Sequence, residues 1–165
     1  MTIMKTGVYP GSFDPFTAGH MDVLRNALSL FDEVVVGVLN NSGKRPTFSV
    51  AERVEMIQRV IDAECLKNVR VGSFDGLLVD YVTQCEAGFI IRGLRAITDF
   101  EYEFQIDATN RHLKPDIQTV YFMAKPSLSF LSSSTIKEIG TYGGDIRGLV
   151  PDCNYNIIKE RLSNA

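Results

Sequence analysis

An α/β fold built on a parallel sheet is what the sequence predicts, and three observations carry that expectation. Short apolar runs and amphipathic runs alternate five times along the chain, the pattern of strands joined by helical crossovers. The run VVVGVL within residues 33–39 is apolar throughout, as suits a strand covered on both faces. Serine or threonine stands three residues ahead of glutamate at Ser49/Glu52, Thr98/Glu101 and Thr135/Glu138, so three capping boxes are expected to open helices.

Taken in order, residues 6–9 form the first expected strand, which Pro10 and Gly11 end. Residues 20–31 place Met21, Leu24, Ala27, Leu28 and Phe31 at helical spacing. Residues 33–39 are the second strand, and residues 40–48, polar with Gly43 and Pro46, are a loop. From Ser49 a helix runs to about residue 64, with Val50, Val54, Ile57 and Ile61 on one face. Residues 69–74 give a third strand, 77–84 a third helix and 88–91 a short fourth strand. A helix over 98–113, a fifth strand over 118–123, a short helix from Thr135 and a terminal helix over 152–162 complete the series. The whole reads as a doubly wound, Rossmann-like five-stranded parallel sheet with helices on both faces. Such sheets bind ligands beyond the carboxyl ends of their strands. Residues 7–20, 40–48, 74–78, 92–99 and 124–134 all follow strands, and all five segments are therefore expected around one cleft.

A chain of 165 residues is expected to form a single domain that buries about 70% of its unfolded surface. The net charge of −3 speaks against a broad nucleic-acid or membrane surface, so an anion site must be a local cluster of cations. Cys65, Cys85 and Cys153 are odd in number and widely spaced, which points to neither a disulfide framework nor a zinc knuckle. Residues 1–6 show no apolar leader and no run is long enough for a membrane span, so a cytoplasmic location is expected.

Four stretches suit anions. In GVYPGSFDPFTAGH, residues 7–20, a strand meets a helix start, where free N–H groups favour phosphate; Ser12 adds a hydroxyl and His20 a ring that can donate. Lys44 and Arg45 stand on the loop after the second strand, where a cation can neutralise phosphate charge. Arg92 and Arg95 flank Gly93 and Leu94 after the fourth strand, so both guanidiniums can reach one anion. The hydroxyl run Ser132-Ser133-Ser134 follows the fifth strand at another helix start. Asp14 reads as a turn-stabilising residue, and His112 as a helix-end residue that offsets the dipole. No Ser/His/Asp or Cys/His constellation is evident.

Thr17-Ala18-Gly19-His20 resembles the (T/H)-x-G-H signature of the nucleotidyltransferase superfamily, and residues 129–137 resemble its I-S-S-(S/T)-x-x-(R/K) string. The strings YPGSFDP and IRGLRA followed by DFEYE are similar to phosphopantetheine adenylyltransferases over almost the whole chain. That resemblance implies an ATP-dependent adenylyl transfer to 4′-phosphopantetheine. It implies catalytic roles for His20, Lys44 and Arg95. ATP would be held by Ser12, Phe13, His20, Gly93, Leu94, Arg95, Glu103, Leu128, Ser129, Phe130, Leu131, Ser132, Ser133 and Ser134. The acceptor would meet Ser12, Lys44, Leu78 and Arg92. Mg²⁺ is expected with the ATP, held mostly by phosphate and water, with Asp14 a candidate ligand that ranks behind its turn-stabilising reading. Feedback binding of coenzyme A and a homohexamer are further family expectations. Two positions depart from the family pattern: Ser12 replaces the usual threonine, and Leu128 stands where an aromatic is common. Other readings of the same core motifs are a transferase acting on nicotinamide mononucleotide, one using CTP, or a non-catalytic adenylate sensor. Residues 74–78 and 92–104 favour pantetheine among them.

Overall fold

The computed structural model describes residues 4–40, 43 and 45–164. Its strands are β1 (Thr6–Gly11), β2 (Glu33–Leu39), β3 (Val69–Phe74), β4 (Phe89–Leu94) and β5 (Gln118–Met123). They form one sheet in the order β3-β2-β1-β4-β5, every pairing parallel. The helices are α1 (Ala18–Leu28), α2 (Val50–Ala63), α3 (Leu78–Gln84), α4 (Ile97–Leu113), α5 (Ser133–Thr141) and α6 (Tyr155–Ser163).

Strand alternation divides the core. Tyr9, Val34, Val36, Val38 and Ile91 point to one face, where Leu24 and Ala27 of α1 and Ile57 and Val60 of α2 cover them. Val8, Val35 and Ile90 point to the other, under Val79 and Val82 of α3. Helices therefore cover both faces, as expected. A third apolar cluster, with Phe48, Leu131, Ile136 and Ile158, joins α5 and α6 to the edge of α2.

Sequence order reverses between β1 and β4, and there the sheet opens. The ladders of β1 with β2, β2 with β3 and β4 with β5 each pair six residues, whereas β1 and β4 pair only at Gly7/Phe89 and Val8/Ile90. Pro10 offers no N–H to continue that ladder, and its carbonyl instead accepts from Arg92 Nη1 at 3.3 Å. The carboxyl halves of β1 and β4 separate, and this is the topological switch point at which doubly wound sheets bind ligands.

Local details correct several expectations. β1 continues through Pro10 to Gly11 because its other edge still pairs with β2. The helix expected over residues 20–31 starts at Ala18 and ends at Leu28. The Ser49/Glu52 box is present, but α4 begins at Ile97 after Ala96 without a side-chain cap. There Asp99 accepts from the Arg95 N–H at 3.0 Å, which fixes the entry in place of Thr98. Helix α5 begins at Ser133, two residues before Thr135, because Ser132 is the cap and accepts from the Thr135 N–H at 3.0 Å. The terminal helix is a 3₁₀ turn, Asp152–Asn154, followed by α6.

Candidate active site

The N-terminus of α1 faces the opening between β1 and β4. Thr17 caps α1, and the residue that completes its capping box is His20. The Thr17 N–H donates to His20 Nδ1 at 3.0 Å, and the Thr17 hydroxyl lies 3.2 Å from the same nitrogen. A ring nitrogen that accepts from a main-chain N–H carries no proton, so in neutral His20 the proton sits on Nε2. Desolvation lowers the His20 pKa to about 4, with Arg95 and Arg92 adding to the effect. At neutral pH the ring is thus an uncharged Nε2–H donor. Its apolar setting is Phe13, 5.0 Å away edge-on, with Phe16 at 5.4 Å and Tyr9 at 6.4 Å between centroids.

Two arginines face His20 from β4 and the turn after it. Arg92 Nε donates to Glu103 Oε2 at 2.8 Å and Nη2 to Oε1, a bidentate pair on the one buried residue of α4. With Nη1 bound to Pro10, two of the five guanidinium protons remain for a ligand. Arg95 pairs with Asp99 at 3.3 Å and donates to the Leu131 carbonyl at 3.1 Å, which ties the β4 turn to the segment before α5. Ser132 caps α5, and Ser133 Oγ donates to the Pro15 carbonyl at 2.8 Å, which seats the α5 N-terminus beside the first loop.

These parts enclose a cleft of about 330 Å³. Of the residues expected in the site, it is lined by Phe13, His20, Arg92, Gly93, Arg95, Glu103, Leu128, Leu131, Ser132 and Ser133. Ser12, Leu94, Ser129, Phe130 and Ser134 belong to the same segments but do not line it. Leu78 packs with Val8 and Val35 on the α3 face. Its segment follows β3, the edge strand two strands from the switch point, and residues 74–78 do not line this cleft. Lys44 lies outside the described residues. Among the described residues no cluster of three or more His, Cys, Asp or Glu could hold a metal ion. Both carboxylates that line the cleft, Asp99 and Glu103, are already paired with arginine.

Sequence reasoning missed the supports. Asp14 is buried and accepts from the N–H groups of Thr47 and Phe48, both at 2.9 Å, and from Lys137 Nζ at 2.6 Å. Asp22, also buried, holds Lys125 at 3.0 Å and so anchors the segment after β5 to α1. Arg53 is buried in α2 and donates only to main-chain carbonyls. The signal for Arg53 was its place on the apolar stripe of α2, three residues after Val50 and four before Ile57.

Three comparisons bear on this arrangement. The family profile described as Cytidylyltransferase-like matches residues 8–139. A phosphopantetheine adenylyltransferase of Lachnoclostridium phytofermentans is 51% identical over 97% of both chains. Another, of Geobacter metallireducens, is 50% identical over 96% of both. Among solved structures, a nicotinate-nucleotide adenylyltransferase candidate from Vibrio parahaemolyticus superposes with a TM-score of 0.73, covering 97% of this chain and 95% of that one at 18% identity; it supports the fold alone. A cleft at the switch point, a neutral histidine donor at one helix start and a serine-capped second helix start are thus found on a sequence half identical to those enzymes, and the chain belongs to the phosphopantetheine adenylyltransferase family of cytidylyltransferase-like proteins.

Proposed function

We infer that the chain catalyses the reversible transfer of an adenylyl group from ATP to 4′-phosphopantetheine, giving dephospho-coenzyme A and pyrophosphate. The observation that carries this reading is the convergence of His20, Arg92, Arg95 and the α5 N-terminus on one cleft. An oxygen of the acceptor phosphate attacks the α-phosphorus, and the bond to the β-phosphate oxygen breaks, releasing pyrophosphate. The acceptor is a phosphate monoester with a second pKa of about 6, so it is already a nucleophile and needs no general base. Catalysis is then positioning and charge stabilisation.

His20 Nε2–H donates to the α-phosphate oxygens as their charge grows; Arg95 and Lys44 share that charge. Arg92, with Lys44 and Ser12, receives the acceptor phosphate, and Leu78 is assigned to the pantetheine arm. Phe13, Gly93, Leu94, Arg95, Glu103 and residues 128–134 hold ATP. Mg²⁺ enters as part of the ATP substrate. Pairing of Asp99 and Glu103 with arginines fits an ion held by phosphate and water. Feedback binding of coenzyme A, a homohexamer, a single-domain chain and a cytoplasmic location complete the proposal; no helix of the described residues is long and apolar enough to cross a membrane.

The test is pyrophosphate release on mixing ATP with 4′-phosphopantetheine, with nicotinamide mononucleotide as the competing acceptor. Turnover with phosphopantetheine alone is expected; turnover only with the mononucleotide overturns the assignment. His20→Ala is expected to lower kcat by about 10²–10³-fold with ATP binding retained. A kcat within a few-fold of wild type removes the ring from catalysis.

A further inference from the structure

Arg53 is only 3% exposed. Its Nε donates to the carbonyls of Phe48 at 3.0 Å and Ser49 at 3.4 Å, and its Nη1 to those of Ser12 at 2.6 Å and Leu39 at 3.2 Å. One side chain thus gathers the start of its own helix, the end of β2 and the loop after β1. A buried arginine is costly to desolvate, and an apolar residue would fill the α2 stripe at less cost. Its place on that stripe calls for a structural reason beyond packing.

The shortest of its bonds indicates that reason. The Ser12 carbonyl belongs to the Ser12–Phe13 peptide plane, and rotation about the Phe13 φ swings that plane. Phe13 has φ +47°, a left-handed conformation that a residue with a Cβ avoids unless its surroundings hold it there. Its ring then lies edge-on to the His20 imidazole at 5.0 Å and bears on Phe16 at 5.5 Å. Arg53 and His20 do not meet; the link runs from guanidinium to peptide plane, from plane to ring, and from ring to imidazole.

We propose that Arg53 is a positioning residue for adenylyl transfer: through the Ser12 carbonyl it locks the Phe13 backbone in its left-handed state, and through the Phe13 ring it fixes the orientation of His20. The proposal rests on the reading of His20 as the α-phosphate donor. It does not make Arg53 a ligand of either substrate. Orientation errors of about 1 Å at a catalytic group can lower rates by about 10²-fold. Loss of the lock also admits water to the ring, whose present environment comprises Phe13, Phe16 and Tyr9 with Arg92 and Arg95 facing it.

Arg53→Lys keeps the cation but cannot span four carbonyls, and Arg53→Gln is the second variant. Each is assayed per folded molecule for kcat and for the KM of both substrates. Each is also followed by NMR titration of His20, with His112 as the second histidine in the same spectrum. The expected result is a kcat reduced by about 10-fold or more with KM values within about 3-fold. The His20 midpoint is expected to rise from about 4 toward 6.5. In a His20→Ala background, Arg53→Lys is expected to cost no further activity. An unchanged kcat with an unchanged midpoint overturns the proposal, as does an equal loss in the His20→Ala background. Recovery of both variants unfolded also overturns it, since Arg53 is then a folding residue. If wild type transfers nothing to phosphopantetheine, the reading of the reaction fails instead, and the His20 midpoint still tests the lock.

Discussion

Asp14→Asn is the perturbation whose cost can be worked most fully from the structure. Oδ2 of Asp14 accepts from Thr47 N and Lys137 Nζ, and Oδ1 accepts from Phe48 N. Asparagine has one oxygen, so its least damaging placement keeps that oxygen toward Thr47 and Lys137. The amide NH₂ then confronts the Phe48 N–H, leaving a buried donor unsatisfied at about 1–3 kcal/mol. The charge attraction to Lys137 is lost as well. Breaking a fully buried ion pair costs about 3–5 kcal/mol, but the Lys137 side chain is 33% exposed and water recovers part of its charge. The two effects together come to about 3 kcal/mol. For a chain of this size each kcal/mol moves Tm by about 2–4 °C, so a drop of about 6–12 °C is expected in a thermal melt. The cycle with Lys137→Met separates the parts: if the ion pair matters, the double variant falls short of the summed losses by about 1–2 kcal/mol. An Asp14→Asn protein melting within 2 or 3 °C of wild type, by about the conversion above, refutes the reasoning.

Gly93→Ala places a Cβ 2.7 Å from Val23 Cγ2, with Val23 itself buried in α1; a stability loss of about 1–3 kcal/mol is expected in denaturant melts, with a raised KM for ATP. For His20 the folded pKa of about 4 lies below the ordinary 6.5, so the unfolded chain binds more protons between those values. Stability is therefore expected to fall as pH drops from about 6.5 to about 4, and this contribution to be flat below that; His20→Gln should remove it from a pH series of urea melts. Arg92→Ala frees the Glu103 carboxylate and deletes the guanidinium proposed to receive the acceptor phosphate, so initial-rate kinetics should show the KM for phosphopantetheine rising more than that for ATP, with a Tm lowered by the loss of charge-assisted bonds worth about 2 kcal/mol.

How much of this was legible in the sequence depends on whether the governing interaction was local. The run at 33–39 and the Ser49/Glu52 box were read correctly because hydrophobic period and capping act within a few residues. The cleft was foreseeable, because parallel strands place the loops after β1, β4 and β5 at one sheet edge. The position of residues 74–78 was not, since strand order is a tertiary choice and β3 takes the outer edge. The misread helix starts have a common cause. At Thr98 and Thr135 a competing acceptor, Asp99 or Ser132, intervened, and at Thr17 the partner was a histidine, which the S/T-x-x-E/Q rule does not contain. The departures from local rule gather around the cleft. A proline sits in a strand at Pro10, a phenylalanine takes a left-handed φ at Phe13, a histidine completes a capping box at His20, and an arginine fills an apolar stripe at Arg53. Each costs something where it stands, and each bears on where the imidazole or the Arg92 guanidinium points. Local inconsistency of this kind is itself a sequence signal for a site: an arginine at the i+3 position of an otherwise apolar helical face could have been flagged beside His20 before any coordinates existed.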